Sequence, residues 1–319
     1  MDELVLVRDL DALREQAERL AEESLASSTR RAYQHDWACF CTFARQRGLD
    51  PMGPAGQVAL YLAYRVDEGA SVPVLNRALA SIAKAYQIAG LPNPRRDPAV
   101  ALVYSGARRR LGVSPDQVEA ILPTHLRTMV ERLPTSGSHR LRSIRNRALL
   151  TLGWASGARR SNLVGLNVSD LTWVPEGLRV TIRRSKTDQE GRGVAVGVPY
   201  AGTMSVCAVR AVRDWIDAAG LTGDAALFQG VTPRGEAATG HRLTCRQVAN
   251  VIAGAAKRAD LVGRYAGHSL RAGLVTSAVR AGKPLRSVMA QTGHKTMDVL
   301  MRYVREQQMF VDNAAAGLL

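Results

Sequence analysis

Residues 178–198 read LRVTIRRSKTDQEGRGVAVGV, and their pattern differs from that of the sequence on both sides. Every second position is apolar over 178–182, and the same alternation returns over 194–198. A period of two residues is typical of strands that bury one face. The stretch therefore predicts two half-buried strands, joined through 185–192 as a β-hairpin.

Apolar residues outside this hairpin recur at helical spacing instead. The polar run Ser27-Ser28-Thr29 is a candidate N-cap for a helix that Gly48 closes. Further helices are predicted over 55–67, 74–89, 124–133 and 140–155, and from 203 onward the pattern stays helical. The sequence thus predicts a mainly α protein: a small helical domain, a Gly/Pro-containing linker, and a larger helical domain with one small antiparallel β-sheet.

The charge of the chain is strongly positive and unevenly distributed. The net charge is +15 and the sequence pI is near 10.4. Residues 1–23 carry eight acids against three arginines, a local charge of −5, so the rest of the chain carries +20. A body of this charge favours a polyanionic partner, and nucleic acid before others. The alternative is a basic protein whose charge only keeps it in solution.

The spacing of the cysteines and the length of the apolar runs argue against a disulfide-rich, zinc-binding or membrane protein. Cys39 and Cys41 are too close for an ordinary disulfide, and no CxxC pair is present. No apolar run approaches the ~20 residues that a membrane span needs. We therefore expect a cytoplasmic, nucleoid-associated protein with no disulfide framework, no structural zinc and no membrane contact.

Four segments of the second half carry residues suited to chemistry on a phosphate. In chain order they are Arg159 in SGARRSNL (156–163), Lys186 in the hairpin turn, His268 and Arg271 in GHSLR (267–271), and His294 followed nine residues later by Tyr303. Each segment alone is more often structural than functional. Their order and spacing together are hard to obtain by chance.

This order of Arg, Lys, HxxR, GH and Tyr resembles the tyrosine recombinase (phage integrase) family, over nearly the whole chain. GHSLR and the stretch VLMRYVR (299–305) are most similar to its Cre-like members. The resemblance implies a site-specific recombinase that cleaves and rejoins DNA through a 3′-phosphotyrosyl intermediate and a Holliday junction, without metal or ATP. It also implies these divisions: an acidic segment (1–23), a core-binding domain (24–111), a linker (112–118) and a catalytic domain (119–319) with a C-terminal tail (304–319).

The expected chemistry needs a nucleophile and stabilisation of the charge that develops on the phosphorus centre. Tyr303 is the predicted nucleophile, because a phosphotyrosyl ester keeps the energy of the broken bond for religation. Arg159 and Arg271 are suited to clamping the two non-bridging oxygens through bidentate, charge-assisted hydrogen bonds.

Three further residues complete the predicted set. His294 would donate another hydrogen bond to the phosphate, and His268 would serve as a base or proton relay for the tyrosine. Lys186 resembles the family's general acid for the leaving 5′ oxygen. No HExxH or GxxxxGK[ST] pattern occurs, so no metal or nucleotide cofactor is implied.

Long polar side chains outside this set are candidates for binding double-stranded DNA, although solvated surface is the simpler interpretation of each one alone. These candidates are Arg30, Arg31, Asn76, Arg77, Lys84, Arg108, Arg109, Arg160 and Arg183.

Three local details affect this interpretation. The family often has an acidic residue where this chain has Asn162, which leaves the orientation and charge of His268 open. On one continuous helix, His294 and Tyr303 would point about 180° apart, so a break is required between them. Thr296 is a candidate cap for a new helix from Met297 to Val304.

The sixteen residues after Tyr303 include Met309, Phe310, Val311 and Leu318-Leu319. Such an apolar tail should be buried. The resemblance implies that it docks on a neighbouring protomer in a DNA-bound homotetramer, and packing on its own domain is the alternative.

Two other activities fit part of the pattern. A type IB topoisomerase uses similar chemistry, but the two-domain organisation and the short apolar tail favour a recombinase. A DNA-binding protein without catalysis is disfavoured because all six predicted catalytic residues are present.

Overall fold

The computed structural model describes residues 10, 12–16, 25–112, 118–183, 193–294 and 296–308. The chain divides into two compact units, Met1–Pro115 and Asp116–Leu319. Most of the acidic segment 1–23, most of the linker and the tail from 309 onward lie outside the described residues. None of the described helices is both long and apolar enough to cross a lipid bilayer.

Between residues 25 and 112 the first unit contains four α-helices: α1 (Ser27–Arg45), α2 (Gly56–Asp67), α3 (Val72–Ile88) and α4 (Pro98–Leu111). Helix α1 packs on α3 and α2 packs on α4. Apolar residues at helical spacing form the buried face of α3, with Leu75, Leu79, Ile82 and Tyr86 all in the core. Since α3 buries that face, its polar residues are left at the surface.

The cap predicted for α1 was wrong. The helix begins at Ser27, and Ala26 is the N-cap without a side-chain hydrogen bond. The carbonyl of Ala26 accepts from the amides of Thr29 and Arg30, so the polar run lies inside the first turn.

The second unit is helical around one buried central helix. Its elements are α5 (Pro123–Glu131), α6 (Arg140–Ser156), α7 (Arg160–Gly165), β1 (Leu171–Val174), β2 (Gly177–Ile182), β3 (Val194–Pro199), α8 (Ala208–Ala219), β4 (Gln229–Val231), β5 (Ala238–Arg242), α9 (Cys245–Arg258), α10 (Ser269–Arg280), α11 (Leu285–Thr292) and α12 (Met297–Gln308). Helix α6 packs on α8 and on α10. It buries residues all round its circumference, as expected of a helix in the middle of a domain.

The predicted hairpin is present as β2 and β3, which pair antiparallel with Leu178 opposite Val198 and Val180 opposite Val196. These four side chains are buried, as the alternation predicted. Strand β1 adds a third strand to the sheet. It was not predicted, because four residues are too few to display an alternating pattern.

The expectation that residues from 203 onward are only helical was also wrong. Strands β4 and β5 form a second antiparallel sheet of two strands. Strand β4 has three residues and β5 is largely exposed, so neither carries the apolar alternation by which strands are recognised.

Candidate active site

The end of α6 sets the position of Arg159. The helix ends at Ser156, and Gly157 follows in the left-handed region with φ +60°. A Cβ at this glycine would lie 2.8 Å from a methyl carbon of Leu274 and 2.9 Å from one of Thr292. Only glycine combines this conformation with so close an approach, and the end of α6 therefore meets α10 and α11 just before Arg159.

Arg271 links three of the predicted segments. It lies in the first turn of α10 and is one of the largest fully buried side chains of the protein. Its Nη1 donates to the carbonyl of Gly157 at 2.8 Å and to the carbonyl of Thr292. The segments that carry Arg159, Arg271 and His294 therefore converge on one point.

The other edge of this guanidinium is left for a ligand. Nε and Nη2 of Arg271 are buried, and among the described residues no hydrogen-bond partner lies near either atom. Buried polar groups are nearly always paired, and unpaired ones in a native fold commonly mark a site whose ligand is absent. A two-donor edge of arginine matches two oxygens of a phosphate.

His268 immediately precedes α10, beside the arginines, and its side chain is exposed to solvent. Desolvation lowers its pKa, and the charges of Arg271, Arg159 and Arg160 lower it further. Arg160 is held here by its aliphatic stem, which crosses Gly267 so closely that a Cβ on that glycine would lie 1.7 Å from Arg160 Cδ. This contact gives the glycine of the GHSLR motif its structural reason.

His294 lies between α11 and α12 and is oriented by Thr292. The Thr292 hydroxyl donates to the carbonyl of Val288 at 2.6 Å and lies 2.7 Å from Nδ1 of His294. Because the single hydroxyl hydrogen points at Val288, Nδ1 must be the donor to the Thr292 oxygen, which leaves Nε2 for other contacts.

The charge state of His294 follows from its surroundings. Burial lowers its pKa to about 4, helped by the positive charges of Arg271 and Arg159 and by His268. In the DNA-free protein this imidazole is therefore neutral at pH 7, with a lone pair on Nε2. To donate a hydrogen bond to a phosphate from Nε2, it must first take up a proton.

Tyr303 is half-buried on α12 and packs on an apolar cluster of Val275, Val288 and Leu300. Burial, together with the charge of Arg159, lowers the pKa of Arg271 to about 10, and Tyr303 acts in the opposite direction. The phenol therefore lies within electrostatic range of the guanidinium.

The required break between His294 and Tyr303 is present. Helix α11 ends at Thr292, Gly293 is left-handed with φ +66°, and α12 begins at Met297. The new helix begins immediately after Thr296, as the sequence predicted, and runs beyond Val304 to Gln308.

The cluster of Arg159, His268, Arg271 and His294 has a positive electrostatic balance. Desolvation and neighbouring cations lower the pKa of both histidines and of Arg271, and desolvation lowers that of Arg159. Among the described residues no carboxylate contributes to any of these pKa shifts, and Tyr303 is the one group that opposes them. Within the described residues no three histidine, cysteine or carboxylate side chains are placed to hold a metal ion. The arrangement is suited to an anion.

Of two further positions of the predicted site, Lys186 and Asn162, the structure describes only Asn162. Lys186 lies outside the described residues. Asn162 is buried on α7 and lines a cavity of about 350 Å³ together with Asp170 and Arg183. Asp170 is buried and accepts from Arg183 Nε at 2.5 Å, at the end of β2.

The predicted DNA-binding residues occur in several surroundings. Arg31, Arg108, Arg109 and Arg160 are exposed, whereas Arg30 and Lys84 are half-buried. Arg77 is paired with the buried Asp36, and Asn76 accepts from Arg95. Sequence reasoning missed Asp36, Arg95 and Thr292, because each acts through a neighbour that no local pattern connects to it.

Comparisons with known proteins identify the family of the chain. The model of the phage integrase family matches residues 114–309. A relative described as an integrase/recombinase xerD homolog, from Selenomonas ruminantium, is 30% identical over 305 residues, which cover 93% of this chain and 87% of that protein. Recombinase cre of Escherichia phage P1 is 26% identical over 288 residues, covering 84% of this chain and 80% of that one.

The fold has solved counterparts. A lambda integrase tetramer bound to a Holliday junction aligns with a TM-score of 0.61 at 17% identity, covering 91% of this chain and 75% of that chain. At this identity the likeness concerns the fold alone. With the family match across most of the second unit and relatives along nearly the whole length, the chain belongs to the phage integrase family and is a tyrosine site-specific recombinase.

Proposed function

We propose that Tyr303 cleaves DNA by attacking a backbone phosphorus, which forms a 3′-phosphotyrosyl bond and releases a 5′ hydroxyl. The observation that carries the proposal is the buried edge of Arg271. Its Nε and Nη2 have no hydrogen-bond partner among the described residues, and the guanidinium lies within electrostatic range of Tyr303. Attack by the 5′ hydroxyl of a second strand reverses the step and expels the phenol. The phosphoester energy is conserved, so the exchange needs neither metal nor ATP.

The two arginines clamp the non-bridging oxygens in this proposal. Arg159 and Arg271 would each offer a fork of donors, and the partial burial of both makes their hydrogen bonds stronger than they would be in water. Because negative charge grows on these oxygens in the transition state, donors held in place beforehand lower the barrier.

The histidines and the lysine handle protons. His268, whose pKa is lowered by desolvation and by the neighbouring arginines, is suited to accept the phenolic proton of Tyr303. His294 would donate from Nε2 after taking up a proton. Lys186, on the resemblance alone, would protonate the leaving 5′ oxygen.

Each unit has a role on a DNA duplex in this proposal. The first unit is the core-binding domain (24–111) and the second is the catalytic domain (119–319), joined by the linker 112–118. The contacts proposed for duplex DNA are those of Arg30, Arg31, Asn76, Arg77, Lys84, Arg108, Arg109, Arg160 and Arg183. Such a substrate would bring the protein to the nucleoid in the cytoplasm.

The proposed active assembly is a homotetramer at a Holliday junction, the assembly named for lambda integrase. The second unit has an apolar cavity of about 590 Å³ between α5, α6, β3, α10 and α11, with Leu126, Trp154 and Val288 among its walls. We propose that the C-terminal tail (304–319) of a neighbouring protomer occupies it with its apolar residues from Met309 onward. Truncation after Gln308 should then abolish tetramers on DNA, whereas a tail that packs on its own unit would leave assembly intact.

A nicked suicide substrate tests the cleavage chemistry. A duplex enriched from a random library by the full chain is nicked so that the short cleaved fragment diffuses away and religation fails. The wild type should accumulate a covalent protein–DNA adduct on denaturing gels, and Tyr303→Phe should form none. Tyr104→Phe, which removes the same hydroxyl from the first unit, is the control and should react normally. An adduct that persists in Tyr303→Phe would refute the assignment.

A further inference from the structure

The outer face of α3 carries Arg77, whose guanidinium is held by a buried carboxylate of α1. Arg77 Nε donates to Asp36 Oδ2 at 2.7 Å, and Arg77 Nη2 donates to Asp36 Oδ1 at 3.1 Å. The Asp36 side chain is 3% exposed, whereas that of Arg77 is 46% exposed. A buried carboxylate therefore grips one edge of the guanidinium from α1 and leaves the rest at the surface.

The edge that remains has a defined shape. A guanidinium has five N–H groups in one plane, and the side-on pair with Asp36 uses one on Nε and one on Nη2. The other hydrogen on Nη2 and both on Nη1 are left, and they form a second fork that faces away from the carboxylate. A bidentate pair fixes the plane of this fork, so little side-chain entropy is lost when it binds a ligand.

Asn76, the residue before Arg77, is also held in a fixed orientation by a hydrogen-bond partner. Arg95 Nη2 donates to the backbone carbonyl of Asn76 at 2.8 Å and to its Oδ1 at 3.0 Å. Because a guanidinium accepts no hydrogen bonds, the atom that faces it must be the amide oxygen. The amide nitrogen of Asn76 is therefore the atom directed away from Arg95, and it is a donor.

The surface around this pair suits a polyanion. A cavity of about 360 Å³ is bounded by Thr29, Tyr33, Asn76, Arg77 and Ala80, and a second of about 640 Å³ shares Tyr33 and Ala80 with it. The second cavity adds Lys84, Arg95 and Arg96. Among the described residues no Asp or Glu lines either cavity, and the alanines leave room between α1 and α3 for a rigid ligand to approach.

Resting on the proposed function, we infer that Arg77 recognises a guanine in the major groove of the target DNA, with Asp36 as the residue that positions it. Guanine presents two acceptors there, O6 and N7, which match the free fork of Arg77. Adenine presents an acceptor and a donor, and its amino group would face an N–H of the fork. With Asn76 also presenting a donor, this face disfavours adenine at the contacted position.

Selection from a random duplex library tests the inference. The full chain and its variants each enrich bound duplexes, and competition then measures the relative affinity for each base at each position. Arg77→Lys keeps the charge and a partner for Asp36 but loses the fork. We expect it to lower the preference for guanine at one position by roughly ten-fold to a hundred-fold, the range of a good bidentate base contact. The rest of the enriched sequence should be unchanged.

Two further variants separate positioning from charge. Asp36→Asn leaves Arg77 in place but removes the ionic interaction that fixes it, so the same guanine preference should weaken while affinity for unrelated DNA is equal to or above that of the wild type. Arg110→Lys is the matched control, because Arg110 pairs with Asp67 at 3.7 Å with both side chains mostly exposed. It should enrich the wild-type sequence.

The outcomes are distinguishable from failure of the proposed chemistry. If Arg77→Lys and Asp36→Asn enrich the wild-type sequence with unchanged base preferences, the inference is overturned, while a Tyr303-dependent adduct on that sequence would leave the cleavage proposal standing. If the wild type enriches no sequence and forms no adduct, both fail together.

Discussion

Arg271 in the second unit and Arg77 in the first are both held in fixed orientations, but by opposite means. Arg271 is buried, bonded to two backbone carbonyls and repelled by the charge of Arg159. Arg77 is half-exposed, and its charge is balanced by a buried carboxylate. The first arrangement keeps positive charge unneutralised for an anion. The second fixes the shape of a hydrogen-bonding edge and reduces its attraction for any phosphate.

The comparison indicates how affinity and selectivity can be divided in one chain. Unneutralised cations bind every phosphate of every sequence and contribute no selectivity. A neutralised, fixed donor edge contributes little to general affinity but discriminates between bases. Variants at the two arginines should therefore affect different measurements.

The largest expected effect is on cleavage at Arg271. Arg271→Lys keeps a charge but loses the two-donor edge, and we expect adduct formation on the suicide substrate to slow by about 10²–10³-fold, as for loss of an oxyanion donor. Binding of intact DNA should change little, because phosphate contacts elsewhere remain. Cleavage at the wild-type rate would mean that the clamp is misassigned.

The free energy of unfolding should depend more on Arg77 than on Arg271, which is the reverse of their order in cleavage. Arg77→Met strands the buried Asp36 carboxylate and should lower the local unfolding free energy of α3 by about 2–3 kcal/mol, reduced from the value for a fully buried pair by the exposure of Arg77. Arg271→Met removes a desolvated, repelled charge at the cost of two hydrogen bonds, and should change that of α10 by less than about 1 kcal/mol.

Amide hydrogen exchange resolved by peptide measures both values in the DNA-free chain. Arg110→Met, at an exposed ion pair, provides the baseline for losing an arginine. A larger loss of unfolding free energy in Arg271→Met than in Arg77→Met would contradict this prediction.

The smallest expected effect is a pH dependence of DNA binding that involves His294 and not Arg77. The pKa of His294 is about 4 in the folded protein and lies below the unfolded value, so its contribution to stability is present above pH 6.5 and is lost as pH falls towards 4. A bound phosphate raises that pKa. DNA binding should therefore take up a proton and strengthen as pH falls through this window, by at most about tenfold per pH unit.

Calorimetry of DNA binding in buffers of different ionisation enthalpy measures this proton uptake. His294→Gln should remove most of it, and what remains is expected from His268, whose pKa is also lowered. Arg77→Lys should leave it unchanged. Equal uptake by the wild type and His294→Gln would contradict the charge state assigned here.

Several features could be predicted from the sequence because their signals are local. The β2–β3 hairpin follows from alternation within six residues of each strand. The break before α12 follows from the angle between His294 and Tyr303 on one helix. Both depend on periodicity, which tertiary contacts did not override.

What the sequence could not reveal depends on distant partners. Asp36 and Arg77 are 41 residues apart, and the carbonyl of Gly157 meets Arg271 across 114 residues. A backbone carbonyl has no residue identity, so no motif records its role as a hydrogen-bond acceptor. The role of Thr292 depends on the direction of one hydroxyl hydrogen, which only the helical carbonyl of Val288 decides.

The bonds from Arg271 to the carbonyls of Gly157 and Thr292 also bear on how such a protein can diversify. A main-chain oxygen is retained whatever side chain is substituted at its position, so these two tethers survive most mutations around them. The side chains of α3 that we propose to face DNA have no such protection, and each substitution there should change what is recognised. A lineage, or a laboratory library, can therefore explore new target sequences at positions such as Asn76 while the cleavage machinery is inherited intact.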